Sequence, residues 1–146
     1  MRARILAFVV AASVSAATTV VAVASSSANG LPSYTNGYAK WPRINKKPFT
    51  STGPLSSAHS GVKNVYASRR KVGKRYPNGT VVVKTIQPSG RTGRPYQVAV
   101  MRKVGGRWRY VEYQLSGSRY GVLAQGALCQ NCHAQARAND YVFTKR

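Results

Sequence analysis

The only two cysteines of the chain stand two residues apart, with a histidine directly after the second: Cys129-Gln130-Asn131-Cys132-His133. No other feature constrains the fold as much. Cys-x-x-Cys-His is the pattern of a c-type haem attachment site. Two thiols at this separation reach the two vinyl groups on one side of a porphyrin and form thioethers. The next histidine then falls under the iron, where it supplies an axial nitrogen. A chain read this way houses one haem c. Two blander readings compete with it. The cysteines can close a disulfide beside an incidental histidine. Alternatively, both thiolates and His133 can bind zinc, which needs a fourth ligand, and His59 is the only other histidine.

Charge narrows the chemistry further. The sequence carries 23 Lys and Arg against 2 acids, Glu112 and Asp140, for a net charge of +21. Such a surface favours anionic partners, among them acidic redox proteins, acidic envelope components and phosphate polymers. Two acids far apart in sequence leave no carboxylate pair for glycoside hydrolysis. They leave no carboxylate-rich calcium or magnesium site either. There is no Ser-His-Asp constellation and no Walker-type glycine loop.

The N-terminus reads as an export signal. Arg2 and Arg4 form a short positive region, Ile5 to Val23 is apolar or small, and small-residue patterns follow at Ala22-Val23-Ala24 and Ser26-Ser27-Ala28. Residues 1–28 are therefore expected to be a cleaved secretory signal. An uncleaved anchor is the alternative, although Ser13, Ser15, Thr18 and Thr19 make the run weakly apolar for a spanning helix. Export places the mature chain in the periplasm, in the cell envelope or outside the cell, where bacterial haem attachment takes place. In the cytosol the same cysteines would suggest a thioredoxin-like pair. Residues 29–146, 118 of the 146, then form one domain, long enough to bury a core without disulfide staples.

The mature chain reads mainly as β structure. Asn29 to Pro54 is rich in turn residues, with Tyr34, Tyr38, Trp41 and Phe49 interleaved with Lys40, Arg43, Lys46 and Lys47. Tyr38-Ala39-Lys40-Trp41 is expected to form a short helix. Interleaved bases and aromatics also occur in single-strand nucleic-acid binders. Here they carry no repeat or module signature, so they read as core anchors among solvated charges, and nucleic acid is not the expected partner. A strand is expected at Val62–Tyr66, then a basic loop at Arg69–Arg75. Tyr76-Pro77-Asn78-Gly79 is a turn, and Thr80–Ile86 is a β-branched strand. Tyr96–Val104 and Arg107–Leu115, separated by Gly105-Gly106, read as a hairpin whose two faces both carry apolar residues. Ser116–Tyr120 is expected to be a loop and Gly121–Leu128 a turn of helix leading into the cysteine motif. Ala134–Ala138 continues that helix, Asn139-Asp140 ends it, and Tyr141-Val142-Phe143-Thr144 is a short apolar tail. Lys84 shares a strand face with Val82 and Ile86. Spacing alone leaves it equally placed to point into a pocket or to snorkel to the surface.

The order of these features resembles the cytochrome P-460 family, which includes the β-type cytochromes c-prime. The matching pieces are Tyr38-Ala39-Lys40-Trp41, Pro48-Phe49 through His59 to Val65-Tyr66, and Pro77-Asn78-Gly79-Thr80-Val81-Val82-Val83-Lys84. The hairpin ending in Trp108, the stretch Cys129-Gln130-Asn131-Cys132-His133-Ala134 and the tail Asp140-Tyr141-Val142-Phe143-Thr144 complete them. The resemblance implies an α+β, mainly antiparallel β fold. A curved sheet with a few short helices encloses one covalent haem, usually in a homodimer. Cys129 and Cys132 would hold the haem, with His133 as the proximal iron ligand and the distal position open. The resemblance also implies a cross-link from Lys84 to the macrocycle in members that oxidise hydroxylamine. Those members place a carboxylate in the distal pocket, on a strand like Val98–Lys103. That strand holds no acid here, and Glu112 on the next strand is not assigned the role.

Three functions follow as expectations. The first is a secreted mono-haem cytochrome. It binds a small diatomic ligand such as nitric oxide in a pocket lined by Phe49, Val82 and Met101, or it transfers electrons to an acidic redox partner. The second is a hydroxylamine-oxidising enzyme with a Lys84–haem cross-link, in which His59 is a candidate base. The third is a haem-free, basic, polyanion-binding envelope protein.

Overall fold

The computed structural model of the chain describes residues 27–50 and 59–144. The export-signal reading falls outside them, apart from Ser27 and Ala28, and so does the link at 51–58.

Five strands make one curved antiparallel sheet in chain order: β1 (Val62–Ala67), β2 (Val81–Gln87), β3 (Gln97–Val104), β4 (Arg107–Ser116) and β5 (Arg119–Gln125). Local chemistry dictates this meander. Gly105 and Gly106 join β3 to β4 with φ of 57° and 76°, and a tight two-residue hairpin of this kind needs positive dihedrals that glycine adopts without strain. β2 is the central element. Five of its seven residues, VVVKTIQ, are β-branched, and six are buried. That pattern suits a strand covered on both faces.

The strand register produces two rows of side chains across four strands. One row is Val65, Lys84, Ala99 and Glu112, and the next is Ala67, Val82, Met101 and Tyr110. Both rows belong to the face where Trp108, Tyr76 and Val142 complete an apolar cluster. The opposite face carries a second cluster around Leu31, Val83, Val98, Val100, Tyr113 and Tyr120. Fully burying a Val or Leu of this kind contributes about 1.5–3 kcal/mol. Leu31 is held there by the segment before it: Asn29 accepts the Tyr120 N–H, and Ser27 bonds to the Leu31 carbonyl.

Helix α1 (Ala127–His133) follows β5 and runs into a 3-10 segment, Ala134–Asn139. Tyr38–Lys40 forms the expected short helix, as a single 3-10 turn. Two expectations fail. Ser116–Tyr120 is not a loop, because a turn at Gly117-Ser118 leads at once into β5. Gly121–Leu128 is not helical before Ala127, because most of it is strand. Gly121 and Ala124 gave no strand signal of their own, and pairing with β4 overrides their local preference.

Candidate haem site

The cysteine motif folds as the C-terminal part of α1. Gly126, with φ 72°, turns the chain out of β5 and starts the helix. Helical spacing then sets Cys129, Cys132 and His133 at i, i+3 and i+4 on one face. Both thiols are free and half-buried, whereas His133 is buried. Burial, reinforced by the Glu112 charge, raises the Cys129 thiol above its ordinary value.

His133 is held from three sides. Its ring packs against Tyr110 at 4.8 Å and against Phe143 at 5.1 Å. Its Nδ1 lies 2.7 Å from the Tyr141 carbonyl oxygen. A carbonyl only accepts, so Nδ1 carries the hydrogen and Nε2 keeps the lone pair. The carbonyl is aimed by two consecutive left-handed residues, Asp140 (φ 54°) and Tyr141 (φ 64°). Non-glycine residues adopt that conformation at a cost, and such strain gathers at functional sites. Asp140 is fixed in turn: its Oδ2 accepts from Lys103 Nζ and from the Tyr76 N–H, both at 2.8 Å. Burial lowers the His133 imidazole to about 4, against the opposing Tyr141 bond, so the ring is neutral at physiological pH. A metal-binding imidazole has to be neutral.

The sheet supplies the facing wall. Lys84 and Glu112 sit in one row with Ala99 between them. Adjacent strands lie about 4.8 Å apart, so the two backbones are roughly 10 Å apart. The methyl of Ala99 leaves the space between them open. Burial pushes the Lys84 amine down to about 8, with the Glu112 charge opposing and the Lys63 charge assisting. Glu112 Oε1 lies 2.6 Å from His59 Nδ1, whose ring N–H donates to the carboxylate. His59 has φ 62°, a further left-handed residue at the site.

These groups share one cavity of about 30 Å³. His133, Cys129, Lys84, Glu112 and His59 line it with polar atoms, while Val65, Val82, Met101, Val142 and Phe143 supply apolar walls. Cys132 stands outside the lining. So does Phe49, which packs against the neighbouring apolar cluster instead. Val82 and Met101 line the cavity as expected. The Lys84 ambiguity resolves inward. Glu112 corrects the sequence reading, because its carboxylate enters the cavity from the strand beside the one expected to carry it.

Comparison with known families then assigns the chain. A family model described as Cytochrome P460 matches residues 35–144. The chain belongs to the cytochrome P460 family. A search of curated proteins found no match. The match spans every strand, α1 and the tail that holds His133, so all the cavity residues named above lie inside the cytochrome P460 region. The family name carries a haem-protein character, and the residues fit that group: two free thiols and a neutral imidazole stand on one helix face beside an apolar-walled cavity. The zinc alternative finds no support in the geometry. Among the described residues, no three His, Cys, Asp or Glu side chains are grouped to hold a metal ion.

Proposed function

We propose that the protein is a secreted mono-haem c-type member of the cytochrome P460 family that oxidises hydroxylamine or a close nitrogen relative. One observation carries this reading: Glu112, bonded to His59, shares a cavity with Lys84 and His133. Cys129 and Cys132 would hold the haem through thioethers, and His133 Nε2 would hold its iron. A bound haem would supply an iron centre able to accept electrons from a small nitrogen compound. The protein's own groups handle the protons. Oxidising an N–H or O–H bond releases one proton for each electron removed, so a base is needed beside the substrate. Glu112 is that base, and the His59 N–H holds its carboxylate in place. The lowered Lys84 amine has an uncharged fraction near neutral pH. That is the nucleophilic form; its bond to a macrocycle carbon would release two protons and pass two electrons to an external oxidant.

A second reading is kept because the other walls are apolar. Val65, Val82, Met101 and Val142 suit a neutral diatomic ligand such as nitric oxide, bound without turnover. The Ile5–Val23 run supports export in either case, and the family resemblance supports a homodimer. The haem-free polyanion-binding alternative is separated by the first step of the test.

That test is expression with c-type haem maturation, followed by haem staining of a denaturing gel, an optical spectrum and the mass of the peptide holding Lys84. The stained band should retain haem, the spectrum should be red-shifted, and Lys84 should be covalently modified. Glu112→Gln should then lower kcat/KM for hydroxylamine about 100-fold with haem content unchanged. A colourless band rejects the haem reading. An ordinary c-type spectrum, unmodified Lys84 and turnover indifferent to Glu112→Gln favour the diatomic-ligand reading.

A further inference from the structure

The connection between β1 and β2 carries five cations in seven residues: Arg69-Arg70-Lys71-Val72-Gly73-Lys74-Arg75. The chain has two acidic side chains to set against its cations, and both are buried and engaged. Glu112 bonds to His59, and Asp140 bonds to Lys103 and the Tyr76 N–H. Neither acid is therefore available to the exposed Arg70, Lys74 and Arg75 of this loop, and their charges favour an anionic partner.

The loop is built as a firm knob. Val72 and Arg75 exchange backbone hydrogen bonds of 2.9 and 3.3 Å, and Gly73, at φ 59°, makes the turn between them. Arg69 donates to the Asn78 carbonyl at 3.1 Å. Lys71 Nζ donates to Asn139 Oδ1 at 2.6 Å. Arg70, Lys74 and Arg75 remain exposed around Val72, which is 77% exposed, the highest value among the exposed large hydrophobic residues. The Lys71 bond also ties the knob to the tail that positions His133, since Asn139 stands two residues before the Tyr141 carbonyl.

We propose that this knob is the docking surface for an acidic electron-transfer protein. The inference rests on the redox function proposed above, which needs a partner to carry electrons away. An apolar centre ringed by cations matches the anatomy of a protein interface, with its apolar core and polar rim. Opposite charge across it raises the rate of encounter. Val72 would add nothing to binding a phosphate polymer, whose affinity comes from its charges.

The test uses the full mature, haem-loaded protein and an acidic blue-copper protein as probe, at two salt concentrations. Affinity is read by titration calorimetry, and the rate of electron transfer by stopped flow. Arg70→Glu with Lys74→Glu should weaken binding about tenfold or more and slow transfer equally. Arg91→Glu with Arg119→Glu makes the same change in net charge at the opposite end of the sheet and should shift both readings less than about threefold. Val72→Ser should weaken binding without changing its salt dependence. Equal losses in the two double variants overturn the proposal, because net charge alone then explains them. Loss confined to binding of anionic vesicles or oligonucleotides, with the acidic protein unaffected, also overturns it. Binding that depends on the knob but brings no electron transfer supports the docking surface and counts against the redox function instead.

Discussion

An ammonium buried as deeply as that of Lys84 loses much of its hydration, and its compensation is a carboxylate two positions further along the row, already bonded to His59. The fall from 10.5 to about 8 corresponds to about 3 kcal/mol. The sign follows from proton counting. Between pH 8 and 10.5 the unfolded chain binds more protons than the fold, so stability rises with pH across that window, and below pH 8 the penalty is complete. Lys84→Met in haem-free protein should therefore raise the unfolding free energy at pH 7 by about 2–3 kcal/mol, with the gain fading towards pH 10.5. Urea denaturation at several pH values measures it, and an unchanged midpoint at pH 7 would contradict the account. Retaining so costly a residue is understandable where activity needs it. The sequence left this side chain undecided because alternation places it on a face without saying which face is enclosed. That depends on α1 and the tail, which arrive some 40 to 60 residues later in the chain.

Among the elements, the β3–β4 hairpin holds both a legible feature and a missed one. A two-residue turn at Gly105-Gly106 pairs Val104 with Arg107, and counting back from there pairs Ala99 with Glu112. That count uses only the turn and the two-residue period, so the position of the cavity acid is encoded locally, in the residues of the hairpin itself. The β2–β3 register is not, because the long link at 88–96 leaves it open, and neither is β5, whose strand character comes from pairing with β4. The link before β1 makes a sharper test. Gly61 has φ 120°, and a Cβ there would lie 2.5 Å from the Gln87 carbonyl oxygen. Gly61→Ala should cost about 2–4 kcal/mol in chemical denaturation, since strain and a backbone clash combine. The tail depends on Asp140. Burial alone would raise its carboxyl, but the bonds from Lys103 and the Tyr76 N–H outweigh it and hold the group below its ordinary value. A depressed carboxyl contributes stability that is present above the unfolded value of 3.8 and is lost as pH falls through the lower folded value. Asp140→Asn should destabilise the protein by about 3 kcal/mol at pH 7, by leaving Lys103 buried without its partner. The same substitution should flatten the acid limb of the stability profile.

Across the whole molecule the sheet separates two apolar clusters with different dependence on a cofactor. The cluster around Leu31, Val83, Val98 and Tyr113 is closed by the segment from Leu31 to Trp41 and needs nothing from the cavity. The cluster on the other face borders the cavity of about 30 Å³, and its outer wall is the short α1 with a tail held by Asp140, Asn139 and Tyr141. An isolated seven-residue helix is unstable in water, so α1 depends on what it packs against. A porphyrin bonded to Cys129 and Cys132 would couple α1 to the sheet. Stability should therefore be distributed unevenly without haem and more evenly with it. Hydrogen exchange on both forms makes the comparison. Amides of β2, β3 and β4 should be protected in each, whereas those of α1 and of residues 134–144 should exchange about 100-fold faster in the haem-free chain. A haem-free chain with β2 and β3 as unprotected as α1 would mean that the Leu31 cluster cannot sustain the sheet alone. The cofactor would then be a condition for folding rather than a guest in a fold already made.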